Sequence, residues 1–373
     1  MPIGYVVAVG LAAWCTLLAV APLRRPRALA LMSWRFGLLI SEQPFLTFYW
    51  LVASTALAAA QGDLDSPGGW VALGLAGLTT VGLVVIAQRA WRTGPVADRA
   101  LADAGVQIAS RRGRRLPYAR ILLAPFHVRR GDVERVANVS YGDAGVRNLL
   151  DVYRHRSRPT GCPTLVYLHG GGFRGGRKSR EARPLLYRLA SEGWVCVSAN
   201  YRLRPEVTFP DHLVDAKKVI AWVREHGPAY GADPAIVVVA GSSAGGNLAA
   251  LAALTPNDPR FQPGFERADT SVAAAVCLYG YYGRYYGDPD VPEPIPSPPA
   301  AYANADAPPF LVAHGDQDTF VPVENARHFV ERLRDTSSNP VVYVELPGAQ
   351  HSFDVFHSVR FDTLVEAIDG FTA

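Results

Sequence analysis

The side chains able to do chemistry sit just past apolar runs. Residues 235–240 lead into Gly241-Ser242-Ser243-Ala244-Gly245-Gly246, and residues 247–254 follow with helical composition. A strand that enters Gly-x-Ser-x-Gly and leaves as a helix holds its serine on a sharp corner, hydroxyl exposed above a helix N-terminus. The paired glycines frame Ser243 and not Ser242. Upstream, residues 163–168 run into His169-Gly170-Gly171-Gly172-Phe173. Consecutive glycines let backbone N–H groups converge on one point, as an oxyanion hole requires. The expected donors are Gly171 and Gly172, joined by Ala244, the residue after the serine. No Gly-Lys-Ser/Thr follows, so the loop does not read as a phosphate cradle.

Downstream, residues 309–313 lead into His314-Gly315-Asp316-Gln317-Asp318, and residues 341–346 into Pro347-Gly348-Ala349-Gln350-His351. A serine hydroxyl is a poor nucleophile at neutral pH and needs a base. His351 is placed to take its proton, and an aspartate to fix the imidazole tautomer and stabilise the imidazolium. Serine, aspartate, histidine, each past a strand, is the chain order of the α/β-hydrolase triad.

The elements that must position these groups follow from periodicity. Residues 195–199 read as a further strand, and helices are predicted at 180–191, 211–225, 324–334 and 360–368. This alternation implies an α/β fold, a doubly wound and mostly parallel sheet with helices on both faces. The apolar pair 135–141 and 149–153, with Gly142-Asp143-Ala144-Gly145 between, reads as an antiparallel hairpin on its edge.

From about residue 130 to its end the chain resembles the hormone-sensitive-lipase-like branch of α/β-hydrolase esterases, especially the membrane-anchored esterases of mycobacteria and related actinobacteria. The matching stretches are Leu150-Asp151-Val152-Tyr153, His169 to Phe173, Asn200-Tyr201-Arg202-Leu203 with Pro205 and Phe209-Pro210, Gly241 to Gly246, His314 to Pro322, and His351-Ser352-Phe353. The resemblance implies Asp318, not Asp316, as the triad acid and His351, not His357, as the base. Two departures accompany it. Ser242 stands where the family often has Asp, which implies tuning rather than loss of activity. The segment of about thirty residues before Phe310 is too short and proline-broken for a helical lid. Its Tyr279, Tyr281, Tyr282, Tyr285 and Tyr286 are expected either as an aromatic wall or as packing under the loop.

The first ninety-odd residues do not belong to that sheet. Three uncharged apolar stretches, about 3–23, 44–60 and 70–88, suit a hydrocarbon core of about 30 Å, so an all-α transmembrane region is expected over 1–92. Met1-Pro2 offers no basic region of the kind that opens a signal peptide. A basic juxtamembrane linker is assigned to 93–130 and the catalytic domain to 131–373. Arg24, Arg25, Arg27 and Arg35 follow the first stretch, and Arg89, Arg92 and Arg99 follow the third. The intervening loop carries Asp63 and Asp65. Positive loops stay inside, which predicts a multi-pass cell-membrane protein with a cytoplasmic catalytic domain.

Charge divides the same way. Up to Arg130 there are 14 basic and 5 acidic residues; beyond it, 23 and 28, within an overall net charge of +4. The folded domain is mildly acidic, which excludes nucleic acid as a partner. Arg111, Arg112, Arg114 and Arg115 are instead assigned to anionic lipid headgroups, with a solvated linker as the alternative. The four cysteines show no pairing or ligand spacing, and the histidines form no zinc motif, so neither metal nor cofactor is expected. The expected function is a serine carboxylesterase or lipase acting through an acyl-enzyme on lipid-like or membrane-partitioned esters. Open alternatives are an amidase or formamidase or a prenylcysteine methylesterase of the same fold, and a non-catalytic binding protein.

Overall fold

The computed structural model describes residues 3–106, 116–285 and 294–372. The arginines at 111–115 and Tyr286 fall outside them. Eight strands form one sheet: β1 (Val133–Ser140), β2 (Leu149–His155), β3 (Cys162–Leu168), β4 (Val195–Ala199), β5 (Ala232–Ser242), β6 (Ala274–Leu278), β7 (Phe310–Gly315) and β8 (Val341–Leu346). Their order is β1-β2-β4-β3-β5-β6-β7-β8. The β1–β2 and β2–β4 pairs are antiparallel. All other neighbours are parallel. The near-continuous apolar runs of β3, β5, β6 and β7 follow from this: a parallel strand covered on both faces has no solvent side to make polar.

The helices are α1 (Ile3–Val20), α2 (Arg27–Glu42), α3 (Pro44–Ala60), α4 (Pro67–Trp91), α5 (Thr93–Asp103), α6 (Tyr118–Leu123), α7 (Arg183–Ser191), α8 (Asp211–His226), α9 (Ala244–Leu254), α10 (Glu324–Thr336) and α11 (Val359–Thr372). One face of the sheet is covered by α8, α9 and α10, through Leu213, Ile220, Leu248 and Phe329 among others. The other is covered by α5, α7 and α11, through Leu101, Leu185, Phe361 and Ile368. Residues 93–103 are therefore not linker as the sequence reading has them. Ala97, Ala100 and Leu101, at helical spacing, are buried in the core of that second face.

The N-terminal helices expose large apolar residues in number. Where α1, α3 and α4 meet, the buried residues include Ala12, Ala19, Ala58, Ala72 and Ala76. Outward point Val7, Leu11, Leu17, Trp50, Val52, Leu57, Trp70, Val71, Leu78 and Val81, all exposed. Alanines at the contacts, beside Tyr5, Val9, Leu51, Leu83 and Ile86, with many large apolar residues facing outward, suit close packing within lipid. Two helices, Ile3–Val20 and the continuous stretch Pro67–Asp103, are long and apolar enough to cross a bilayer, and Pro44–Ala60 is a shorter apolar helix. By length and composition these are weak evidence of membrane association.

Helix α2 has no counterpart in the sequence reading, which leaves residues 24–43 as a basic loop. It buries Ala30, Ser33, Gly37, Ile40 and Ser41 on one side. At Gly37 a Cβ would come within 3.3 Å of the Leu18 carbonyl oxygen, so the glycine lets α2 lie against the end of α1. Its opposite side exposes Leu31, Phe36 and Leu39. At its C-terminal end, Glu42 pairs with Arg360 of α11, both wholly out of contact with solvent. The carboxylate also accepts from Ser358 Oγ at 2.9 Å, while Arg360 donates to the Ser41 and Pro347 carbonyls at 3.1 Å each. With these hydrogen bonds serving both members of the pair, the desolvation cost is offset, and removing one partner leaves a bare buried charge.

Arg360→Ala is therefore expected to destabilise the protein by about 3–5 kcal/mol. Arg327→Ala, which breaks the exposed Arg327–Glu345 pair, is expected to cost about 0–1 kcal/mol. Thermal unfolding of both variants in detergent checks the contrast, and equal losses would mean that the buried pair does not hold the two regions together.

Candidate active site

Ser243 stands between β5 and α9 at φ 55° and ψ −116°, in the left-handed half of backbone space. Such a setting costs a non-glycine residue about 1–3 kcal/mol and persists only where neighbours overdetermine it. The neighbours are close. A Cβ on Gly245 would overlap the Leu168 carbonyl oxygen at the end of β3, and one on Gly241 would overlap the Gly245 carbonyl. The Ser243 N–H donates to the Leu278 carbonyl at 2.9 Å, tying the corner to β6.

The Ser243 hydroxyl lies 3.0 Å from His351 Nε2, and His351 Nδ1 lies 2.7 Å from Asp318 Oδ2. The tautomer that satisfies both has Nδ1–H donating to Asp318 and Nε2 accepting from Ser243. Asp318 Oδ1 accepts the Phe320 and Val321 amides at 2.8 Å each, and His314 Nε2 is 3.3 Å from Oδ2. Burial alone would raise the pKa of Asp318. The His351 charge and the hydrogen bonds from His314 and His351 outweigh it and hold the carboxyl well below the usual range. Asp316 is elsewhere, accepting the Gly348 amide at 2.7 Å, and His357 bonds Asp362 at 2.8 Å.

The glycine loop abuts this corner. At Gly170 a Cβ would lie 3.0 Å from the Ser243 Cβ. Gly171 has φ 120°, open only to glycine, and a Cβ there would overlap the Gly175 backbone. Gly171 and Gly172 N–H donate to no acceptor among the described residues, while Ala244 is the first residue of α9, where N–H groups have no intrahelical partner. His169 shapes the loop: Nδ1 donates to the Gly170 carbonyl at 2.6 Å and the ring stacks on Tyr201 at 4.4 Å. Burial draws it down to about 4, with the Gly170 bond opposing, so it is neutral at physiological pH.

Sequence reasoning missed the acids behind the corner. Ser242 donates to Asp354 Oδ2 at 2.6 Å and accepts from Tyr167 at 2.8 Å, and Tyr279 donates to Asp354 Oδ1. Asp354 thus supplies, from another loop, a carboxylate beside the position where the family often carries one. The Gly170 N–H donates to Glu181 Oε2 at 2.5 Å. Only the His-Ser-Phe-Asp spacing hinted at Asp354, and nothing in the sequence singled out Glu181.

The tyrosines divide between the two expected roles. Tyr279 meets the His351 ring edge-on at 4.6 Å. Tyr285 packs on Phe173 at 5.0 Å, and its hydroxyl is 2.7 Å from His212 Nε2. Tyr282 is packing, stacked on Phe329 at 4.3 Å, and the Tyr281 hydroxyl donates to the Arg284 carbonyl. Among the described residues no group of three or more His, Cys, Asp or Glu is arranged to hold a metal ion.

Comparison with known proteins fits this geometry. A protein-family model described as BD-FAE matches residues 150–283. The probable carboxylic ester hydrolase LipM of Mycobacterium tuberculosis is 38% identical over 407 residues, covering 100% of this chain and 93% of its own. Esterase LipQ of the same organism is 40% identical, over 64% of this chain and 62% of its own. Among solved structures, Thermogutta terrifontis esterase 2 phosphoramylated by tabun superposes with a TM-score of 0.56 at 27% identity, over 65% of this chain and 94% of that one. The match to LipM runs through the N-terminal helices as well as the sheet.

Glu181 gives the site a measurable pH signature. Burial pushes it up to about 7 from an ordinary 4.5, the Asp354 charge adds to the rise, and the Gly170 bond opposes it. A folded-state value above the unfolded one means a stabilising contribution present in full below pH 4.5 and lost as pH rises through about 7. Glu181→Gln keeps an acceptor for Gly170 and removes the titration. Between pH 4.5 and about 8 the melting temperature of the wild type is expected to fall relative to this variant, whereas parallel curves would show that Glu181 does not titrate in that window.

Proposed function

The chain belongs to the hormone-sensitive-lipase-like branch of the α/β-hydrolase carboxylic ester hydrolases, and from that premise we propose how its residues divide the reaction. It is a serine hydrolase acting on carboxylic esters. The observation that carries the assignment of roles is the unbroken relay from Ser243 through His351 to Asp318, at 3.0 and 2.7 Å. Ser243 attacks the ester carbonyl as His351 Nε2 takes its proton. Asp318 orients the imidazole and balances the imidazolium. The tetrahedral oxyanion accepts from the N–H groups of Gly171, Gly172 and Ala244, aided by the positive end of α9. His351 then returns the proton to the leaving alcohol, and water, activated by the same base, releases the acid and restores Ser243.

We further assign α1, α3 and α4 as three membrane spans over residues 1–92, with the catalytic domain cytoplasmic and extended N-terminally to include α5. The apolar exterior of these helices supports this, as do Arg24, whose guanidinium donates to the Asp316 carbonyl of the sheet domain, with Arg25, Arg27 and Arg35 following α1, and Asp63 and Asp65 between α3 and α4. Arg111, Arg112, Arg114 and Arg115 would face anionic headgroups. A site held beside one leaflet favours esters that partition into it, so the substrate class is lipid-like carboxylic esters.

Hydrolysis of p-nitrophenyl esters from acetate to palmitate by the full chain in detergent tests the roles and the substrate class. Ser243→Ala is expected to lower kcat by about 10⁴-fold or more and Asp318→Asn by about 10³- to 10⁴-fold. The optimum is expected at chains longer than butyrate, and a sharp optimum at acetate would remove the lipid-like class while leaving the esterase. For orientation, Asp65→Cys is expected to react with an impermeant maleimide on intact cells and Arg25→Cys only after permeabilisation. The native cysteines are buried, so they give little background.

A further inference from the structure

The N-terminal helices do more than stand beside the sheet domain. Apart from those of Arg360 in α11, their polar contacts with it converge on the two loops that carry Asp318 and His351. Trp34 of α2 donates its indole N–H to the His351 carbonyl at 3.1 Å. Thr319, next to Asp318, donates its hydroxyl to the Ala30 carbonyl of α2 at 2.8 Å. Arg24 donates to the Asp316 carbonyl at 2.8 Å, Ser41 to the Gly348 carbonyl at 3.1 Å, and Gln43 to the His357 carbonyl. Ser243 and the glycine loop receive no such contact among the described residues; they are fixed from within the sheet.

The aromatic packing points to the same place. The Trp34 ring lies 5.3 Å from Phe320 and meets His351 edge-on at 6.5 Å, while Phe320 lies 4.9 Å from His351. With Tyr279 on the other side, the imidazole is held in an aromatic slot. Two of its walls come from the sheet domain and one from α2. That outer wall is half-buried, and Phe320 beside it is 41% exposed. Nothing else among the described residues hydrogen-bonds the His351 carbonyl.

We propose that Trp34 is a positioning residue for the catalytic base, so that α2, a helix outside the sheet domain, completes the active site. Fixed by the indole N–H and ring, the His351 loop holds Nε2 in line with the Ser243 hydroxyl. Displacement of α2 moves the base without disturbing the nucleophile corner. This rests on the triad reading above. It makes docking of the N-terminal helices a condition for turnover and not only for location.

The test compares Trp34→Ala, Trp34→Phe and Ile40→Ala in the full chain, in detergent. It measures kcat and KM on p-nitrophenyl butyrate, melting temperature, and labelling of Ser243 by a fluorophosphonate. Ile40 is buried among the N-terminal helices, about two turns along α2 from Trp34, so its truncation removes buried apolar contact while leaving the indole and its hydrogen bond to His351 in place. A base displaced by about 1 Å costs about 10²-fold in rate. Trp34→Ala is therefore expected to lower kcat by about 10- to 100-fold, to leave KM within about threefold and to slow labelling in parallel. Trp34→Phe keeps a ring and is expected to recover part of kcat, while Ile40→Ala lowers the melting temperature with kcat near wild type. A kcat for Trp34→Ala within twofold of wild type would overturn the proposal, as would equal kcat losses in Trp34→Ala and Ile40→Ala. Absence of Ser243-dependent turnover in the folded wild type is a separate result that overturns the hydrolase reading and this one with it.

Discussion

Everything at this site depends on three backbones meeting without side chains between them. Leu168 ends β3, Gly241 nears the end of β5, and Gly245 is the second residue of α9. A single Cβ at either glycine would overlap a carbonyl oxygen of its neighbour. This contact forces Ser243 into its strained turn, and by bringing β3 up to the corner it sets Gly170 within van der Waals range of the serine. The parallel register continues the constraint outward. Leu168 pairs with Gly241, Ser242 with Leu278, and Gly315 with Leu346. The strands end nearly together, so the loops after β3, β5, β7 and β8 open at one edge. A ligand crevice at the carboxyl ends of parallel strands is the general consequence of that geometry.

Much of this is legible in the sequence because it is local. The glycines framing Ser243 must be small, and the strands must be apolar on both faces, so β4 and β8 match their predicted limits and the others fall within a few residues. What stays hidden depends on partners far along the chain. Helix α2 carries Arg27 and Arg35 inside an apolar pattern, and its buried stripe of Ala30, Ser33, Gly37 and Ile40 is composed of residues that signal little. Trp34 reaches a carbonyl 317 residues away, and no spacing rule connects them. Helix α5 escapes sequence reasoning for a related cause: Ala97, Ala100 and Leu101 form a short apolar stripe that has meaning only against β8 and α11. The arginine run at 111–115 gives the same region a stronger signal as a basic linker.

Ser242 illustrates how a local rule and its exception coexist. The family often has an acid before the nucleophile; here a serine fills that position and Asp354 accepts its hydroxyl. The carboxylate comes instead from the loop that carries His351, a few residues beyond that histidine. Burial raises Asp354, with the bonds from Ser242 and Tyr279 opposing. In that place it links the nucleophile corner, through Ser242, to the Tyr279 ring that packs on His351. Ser243 and His351 are thus joined twice, directly by their own hydrogen bond and again beneath it through Ser242, Asp354 and Tyr279.

The two halves of the relay are held by different means. Ser243 and the glycine loop are set by backbone contacts inside the sheet, where a shift of even a few tenths of an ångström meets close-packed atoms. Asp318 and His351 lie on loops after the last two strands, at the edge of the sheet, where fewer elements cover them. Loops so placed are the mobile part of most folds. In this chain α2 covers them, anchored at one end by the buried Glu42–Arg360 pair and along its length by Gly37 against α1. A buried ion pair adds little stability over an apolar substitute but penalises any arrangement that separates its partners. That property suits a joint whose purpose is register. It fixes α2 along the sheet domain closely enough for one indole N–H to meet one carbonyl, where the helices beyond it present an apolar exterior and offer few directional contacts of their own.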